Sequence, residues 1–209
     1  MSLLHKKYSY PYLLPILTST VILIPLLLIF DIPYAEYMEG GQYIQHLLGP
    51  AVVSLAYPLY NQRHLIAKYK YTILSGILIA MISGLISIYL LLIVFKLEDS
   101  YILTALPKSL TTPVAMQVSE TINGIPPLTA VLVMIAGFVG ALIGPIMYKV
   151  GKITSPISRG ISMGSASHGV GISKLKDYGE EDLSIGSLSM GLSAVIGAVI
   201  CPVFVWIFF

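Results

Sequence analysis

Between Arg159 and Gly171 the chain reads Arg-Gly-Ile-Ser-Met-Gly-Ser-Ala-Ser-His-Gly-Val-Gly. Serine, histidine and glycine at this density permit two kinds of chemistry. The first is nucleophilic. Gly160-Ile161-Ser162-Met163-Gly164 fits G-x-S-x-G, a turn that presents a reactive serine when a strand precedes it, a helix follows and Asp or Glu and His partners lie downstream. Here the context is apolar and helical, His168 follows within the same segment, and no acid is suitably placed. No enzyme activity is expected. The second is anion binding. Glycines let backbone N–H groups come close to a ligand, serines add hydroxyl donors, and a helix N-terminus supplies a positive dipole end. Gly164, Ser165, Ser167, His168 and Gly169 are the candidates for contact with a small carboxylate. Ser162 joins them, because Ser158, Ser162, Ser165 and Gly169 fall along one stripe at three- and four-residue spacing.

Several other residues enter the same chemistry. His168 titrates near neutrality in its free form and could couple binding to protons; an interhelical hydrogen bond is its other role. Glu120 is a coupling candidate if it lies within the membrane and merely solvated if it lies in a loop. Arg159 and Lys108 each stand beside an interrupted segment. Interface anchoring by a snorkelling side chain is the default for both, and electrostatic attraction of substrate is the alternative. Two further breaks carry candidates, Thr111-Thr112-Pro113 and Gly49-Pro50. Proline removes an N–H and biases the residue before it out of the helix. No metal-ligand or phosphate-loop spacing is present, and no cofactor is expected.

The elements that must position these groups are hydrophobic. The 209 residues are 56% hydrophobic and 11% charged, with mean hydropathy +0.85, where soluble domains carry about 25% charged residues. This composition indicates an all-α polytopic membrane protein, multi-pass in the cell membrane, folded as a single membrane domain over 1–209. A net charge of +2 gives no reason to expect nucleic acid as a partner. Four segments approach the roughly 20 apolar residues a span needs: about 12–30, 71–95, 127–148 and 183–208. Three shorter segments, about 43–60, 101–121 and 157–175, join helix formers to Gly or Pro. Discontinuous helices of this kind line midplane sites in secondary transporters, and the three are expected to converge on one cavity. Small residues at four-residue spacing, such as Gly76, Ala80 and Gly84, or Gly137 and Ala141, are expected to be packing contacts between helices.

A shift of 115 residues lays Gly49-Pro50-Ala51 on Gly164-Ser165-Ala166 and Gly76 on Gly191, which suggests repeat units at about 43–95 and 157–208. The bias of Lys and Arg to the cytoplasmic side puts Lys6, Lys7, Arg63, Lys68 and Lys70 inside. With 101–121 re-entrant, Lys149, Lys152 and Arg159 are inside too. If 157–175 crosses, the acidic loop Asp177, Glu180, Glu181 and Asp182 is outside and the two repeat units run in opposite directions.

The interrupted segments resemble the LrgB/CidB family of bacterial membrane proteins. The likeness lies in Leu48-Gly-Pro-Ala51 with Tyr57-Pro-Leu-Tyr60, in Leu106-Pro-Lys-Ser-Leu-Thr-Thr-Pro113 running on to Val118-Ser-Glu120 and Gly124, and in Arg159-Gly160, Gly164-Ser-Ala-Ser-His-Gly169 and Ser187-Leu-Ser-Met-Gly191. The resemblance implies a further hydrophobic segment ahead of 12–30, which this sequence does not show. It implies two functions: an antiholin-like regulator of murein hydrolase export and autolysis, and a carrier of small monocarboxylates such as pyruvate, lactate, glycolate or glycerate. It also implies a small LrgA/CidA-type membrane protein as partner. A homo-oligomer in the lipid bilayer is expected.

Overall fold

The computed structural model describes residues 15–54 and 56–209. Its described residues form helices and turns, and they divide into two units, 1–50 and 51–209. The N-terminal unit holds α1 (Pro15–Ile29), α2 (Tyr34–His46) and the start of α3 (Leu48–Ser54). Gly49 and Pro50 fall in that start, Gly49 half-buried and Pro50 exposed. The expected first span begins among residues outside those described; its described part, α1, is apolar apart from Thr18-Ser19-Thr20.

The second unit begins within α3 and continues with two short helices, α4 (Ala56–Asn61) and α5 (Arg63–Lys68). Three helices follow that are long and apolar enough to cross a membrane: α6 (Lys70–Val94), α9 (Pro126–Val150) and α11 (Glu180–Phe208). They match the other three expected spans. Each buries one stripe and leaves large apolar side chains exposed, among them Ile79, Ile135 and Val199. That distribution suits lipid rather than water outside the bundle. Most of the small residues pack closely: a Cβ on Gly76 would press on Ile161, one on Gly137 on His168 and Val170, and one on Gly197 on Leu110 and Met81, whereas Gly84, expected to pack too, has open space around it.

Between the long helices lie two hairpins. The first runs from α7 (Asp99–Ala105) through a 3-10 turn, Leu106–Ser109, to α8 (Thr112–Thr121). Leu110 and Thr111 are extended, with ψ of 166° and 141°, and Pro113 stands in the first turn of α8, where its missing N–H costs nothing. Seven residues of α7 reach only about 10 Å, a third of a bilayer core. The chain then returns to its starting level. The Thr104 hydroxyl accepts from Ile125 N–H at 2.9 Å, and Thr129 Oγ1 donates to Thr104 O at 2.8 Å. Thr129 has a single hydroxyl hydrogen, so Ser119 Oγ donates to Thr129 Oγ1, at 2.7 Å. Segment 101–121 therefore enters and leaves on one face, as the charges suggested. Thr104, Ser119 and Thr129 have no exposed surface. Thr129→Val leaves two of these groups without partners, and the expected destabilisation is about 1–3 kcal/mol, read as a lowered Tm in detergent, with Thr129→Ser close to wild type.

The second hairpin is α10 (Pro156–Ile172) with the 3-10 turn Ser173–Asp177. The acidic loop was expected outside on the condition that segment 157–175 crosses the membrane. The segment does not cross. At His168 the backbone adopts φ 39° and ψ −142°, and the chain reverses there. Gly171 comes back beside Met163, Ile172 and Leu175 lie beside Gly186, and the Tyr178 ring rests edge-on against Tyr148 at 5.7 Å. Arg159, at the entry, is paired with Asp182, after the exit. The acidic loop thus shares a face with Lys149 and Lys152. A second expectation falls with it: α6 and α11 run in the same direction, since Met81 meets Gly197 and Tyr89 meets Phe204 and Phe208.

Helix ends are fixed by backbone caps. Lys96, Asn123 and Lys152 take the left-handed conformation, and the residue after each donates back, as Ile153 N–H does to Tyr148 O at 2.8 Å. The bundle has a basic face, carrying Lys70, Lys149, Lys152, Lys174 and Lys176, and an opposite face with Lys96, Glu98 and Asp99. Hairpin 99–121 enters from the opposite face and hairpin 156–177 from the basic face.

Candidate functional site

The tips of the two hairpins meet inside the second unit. The 3-10 turn Leu106–Ser109 packs against α10, and both contribute to a cavity of about 380 Å³. Its walls are the small-residue face of α9 (Ala136, Gly140, Gly144) and the Ser162, Ala166, Ser167 face of α10. Lys108 reaches it from the other hairpin, and Tyr148 and Ile153 line its end near the basic face. The cavity is largely apolar, with hydroxyls and one cation. That suits a small anion with an apolar remainder. Lys108 is half-buried, and its nearest polar partner is Ser109 Oγ at 3.4 Å. Lys108 stands at the tip of the first hairpin and lines the cavity.

The Arg159–Gly171 stretch divides its residues between two faces, so the expected single stripe of Ser158, Ser162, Ser165 and Gly169 is not one track. Ser158 and Gly169 are exposed. Ser165 is buried against α11, where Ser193 Oγ donates to its hydroxyl at 3.1 Å. Gly160 and Gly164 face α11 as well, so close that a Cβ on either would press on the backbone at Gly186. Ser162 and Ser167 face the cavity. Ser162 donates to Arg159 O at 3.1 Å, and Ser167 lies against Gly140, where any Cβ would overlap its hydroxyl.

His168 sits at the reversal, buried, with Nε2 2.9 Å from Val133 O. A carbonyl only accepts, so Nε2 carries the hydrogen. This is the interhelical hydrogen bond, tying the hairpin tip to α9. A φ of 39° is one that side chains rarely adopt; strain of this kind costs about 1–3 kcal/mol and persists only where the surrounding packing offsets it. Thr111 marks the break of the first hairpin; its hydroxyl is buried and makes no hydrogen bond, while Thr112 and Pro113 are half-buried. Glu120 is exposed at the end of α8, on the face opposite the basic one, and does not line the cavity. Gly49 and Pro50 belong to the N-terminal unit. No group of three His, Cys, Asp or Glu gathers as a metal site among the described residues.

Arg159 is neither a free anchor nor a cavity residue. Its Nε and Nη2 donate to Asp182 at 2.6 and 3.2 Å, its Nη1 donates to Thr154 O at 2.7 Å, and its guanidinium lies 4.9 Å from the centre of the Tyr178 ring. The pair clamps the entry of the hairpin to the start of α11. Asp182 was missed in the sequence, hidden beside Glu180 and Glu181 in what reads as a solvated turn. Tyr148 was missed as well. It donates to Arg159 O at 2.9 Å from inside a span that otherwise reads as lipid-facing.

Residues 1–207 match the LrgB-like family. The protein YxaC of Bacillus subtilis (strain 168) is 45% identical over 205 residues, which is 98% of this chain and 89% of that protein. The holin-like protein CidB of Staphylococcus epidermidis (strain ATCC 12228) is 33% identical over 206 residues, covering 99% of this chain and 90% of the relative. The holin-like protein CidB of Staphylococcus aureus (strain N315) is 34% identical over the same coverage. No solved structure matches the chain. With the family matched over residues 1–207 and holin-like relatives aligned over 99% of the chain, this chain belongs to the LrgB-like family.

Proposed function

We propose that the protein is a holin-like membrane component: an antiholin-like regulator of murein hydrolase export and autolysis, acting with a small LrgA/CidA-type membrane protein. Support comes from the alignment, across 99% of the chain, with relatives named holin-like protein CidB. The excess of lysine on one face makes that face cytoplasmic in the cell membrane. Deletion of the gene in its host is expected to change the rate of autolysis and the murein hydrolase activity in the medium. The wild-type gene is expected to restore both. Unchanged autolysis would remove this reading.

A second reading is favoured by the cavity. Two broken segments from opposite faces, one serine-bearing wall and Lys108 describe a site for a small monocarboxylate, carried by alternating access. Pyruvate, lactate, glycolate and glycerate all fit its size, and each carries the single negative charge that Lys108 would meet. Saturable uptake into proteoliposomes is the expected result for this reading. Lys108→Gln is expected to cut uptake about tenfold or more, the loss of one charge-assisted contact of about 1.5–3 kcal/mol, with folding intact. The same variant separates the two readings in the host. A regulator working through partner helices restores autolysis with Lys108→Gln, and a carrier does not.

A further inference from the structure

The long helices of the two hairpin–helix units match in position at a spacing of 56. The buried stripe of α6 is Ile73, Ile77, Met81 and Leu85, and 56 residues on the buried positions of α9 include Thr129, Val133, Gly137 and Ala141. Both helices are 25 residues long. Gly84 falls on Gly140. The left-handed cap Lys96, φ 53°, falls on Lys152, φ 52°. After the hairpins, Asn123, φ 61°, falls on Gly179, φ 143°. The hairpins begin at Asp99 and Pro156 and break at Thr111 and His168, each one residue further apart. The 115-residue shift seen in the sequence is close to two such periods, which is why the helices it pairs, α6 and α11, run the same way. One period pairs α6 with α9, which run in opposite directions because the hairpin between them does not cross.

The repeat also pairs two cavities. The open one lies between α9 and hairpin 156–177, on the side of the basic face. Between α6 and hairpin 99–121, on the side of the other face, lies a cleft lined by Gly84, Leu106, Ser109, Leu110 and Cys201. Gly84 corresponds to Gly140 at 56 residues, and Leu106 and Leu110, at the hairpins' spacing of 57, correspond to Met163 and Ser167, all three lining the open cavity. The cleft holds only about 10 Å³, room for about one water.

We infer that residues 70–123 and 126–179 are inverted copies of one unit, and that the cleft at Cys201 is a second vestibule, closed here, that opens to the face opposite the basic one when the 380 Å³ cavity closes. The same small anion reaches both, from opposite sides, past Lys108. The anion rests on the carrier reading; the exchange of cavities does not, and its test needs no substrate.

The test is thiol labelling of the full-length protein in membrane vesicles of both orientations, with Ala136→Cys added to the native Cys201. Ala136→Cys is expected to react with an impermeant maleimide from the basic face alone. Cys201 is expected to react with a small impermeant methanethiosulfonate from the opposite face alone. Wedging the open cavity with a bulky maleimide on Ala136→Cys is expected to slow Cys201 about tenfold or more, as when one state is emptied into the other. Ser109→Cys with Cys201→Ala repeats the measurement at the mouth of the cleft. The inference is overturned if both Cys201 and Ser109→Cys stay unreactive from the opposite face while Ala136→Cys reacts. It is equally overturned if they react at a rate the wedge does not change, or if Ala136→Cys reacts from the opposite face. Saturable uptake with unchanged labelling would keep the carrier and discard the repeat-driven exchange; coupled labelling without uptake would do the reverse.

Discussion

Gly164→Ala is expected to separate α10 from α11 and to unfold the second hairpin. An added Cβ would fall on the Gly186 carbonyl oxygen, with Met190 N 3.0 Å away. Backbone atoms of a long helix cannot rotate aside as a side chain can, so the whole helix must move. Overpacking of this kind reaches about 3 kcal/mol or more. Small residues also provide much of the close packing that holds membrane helices together. The effect is read as loss of folded protein by size-exclusion chromatography in mild detergent, or as a large fall in Tm. Gly169→Ala is the control five residues on: it has open space around it, and little change is expected.

Asp182→Ala is expected to be the other severe substitution. It leaves Nε and Nη2 of Arg159 without their acceptors and frees the entry of hairpin 156–177 from α11. Side-chain exposures of 13% for Arg159 and 3% for Asp182 make this a mostly buried pair. Removing one member of such a pair costs about 3–5 kcal/mol, chiefly because the other charge is stranded. Asp182→Asn keeps one acceptor for the arginine and is expected to lose less. Thermal unfolding of the wild type, both single variants and Arg159→Ala with Asp182→Ala measures the coupling. The double variant is expected to be more stable than the sum of the single losses.

Three of the four expected spans, and the break at Thr111-Thr112-Pro113, were legible in the sequence. Long apolar runs bounded by Pro126-Pro127 or by Lys96 have few other uses in a chain this hydrophobic. Pro107 and Thr112-Pro113 gave the first hairpin. The second was harder. Segment 157–175 has the length and spacing of a helix, and its reversal takes place at a histidine rather than a glycine. The glycines beside it, Gly169 and Gly171, were the available signal, and they read equally well as packing residues. The ion pair joins positions 23 apart in sequence, and nothing local distinguishes Asp182 from its acidic neighbours. The roles of the serines were decided by rotation about one helix axis. Three- and four-residue spacing gives a face only for a straight helix, and α10 ends its straight part at Ser167.

Cysteine accessibility from each side of the membrane tests the opposed hairpins most directly. Lys96→Cys, Lys152→Cys and Asp177→Cys, each with Cys201→Ala, mark the face before the first hairpin and the two feet of the second. Lys152→Cys and Asp177→Cys are expected to react with an impermeant reagent from one and the same face, and Lys96→Cys from the other. Reaction of Lys152→Cys and Asp177→Cys from opposite faces would mean that residues 157–175 cross the membrane, and the cavity between two opposed hairpin tips would not exist.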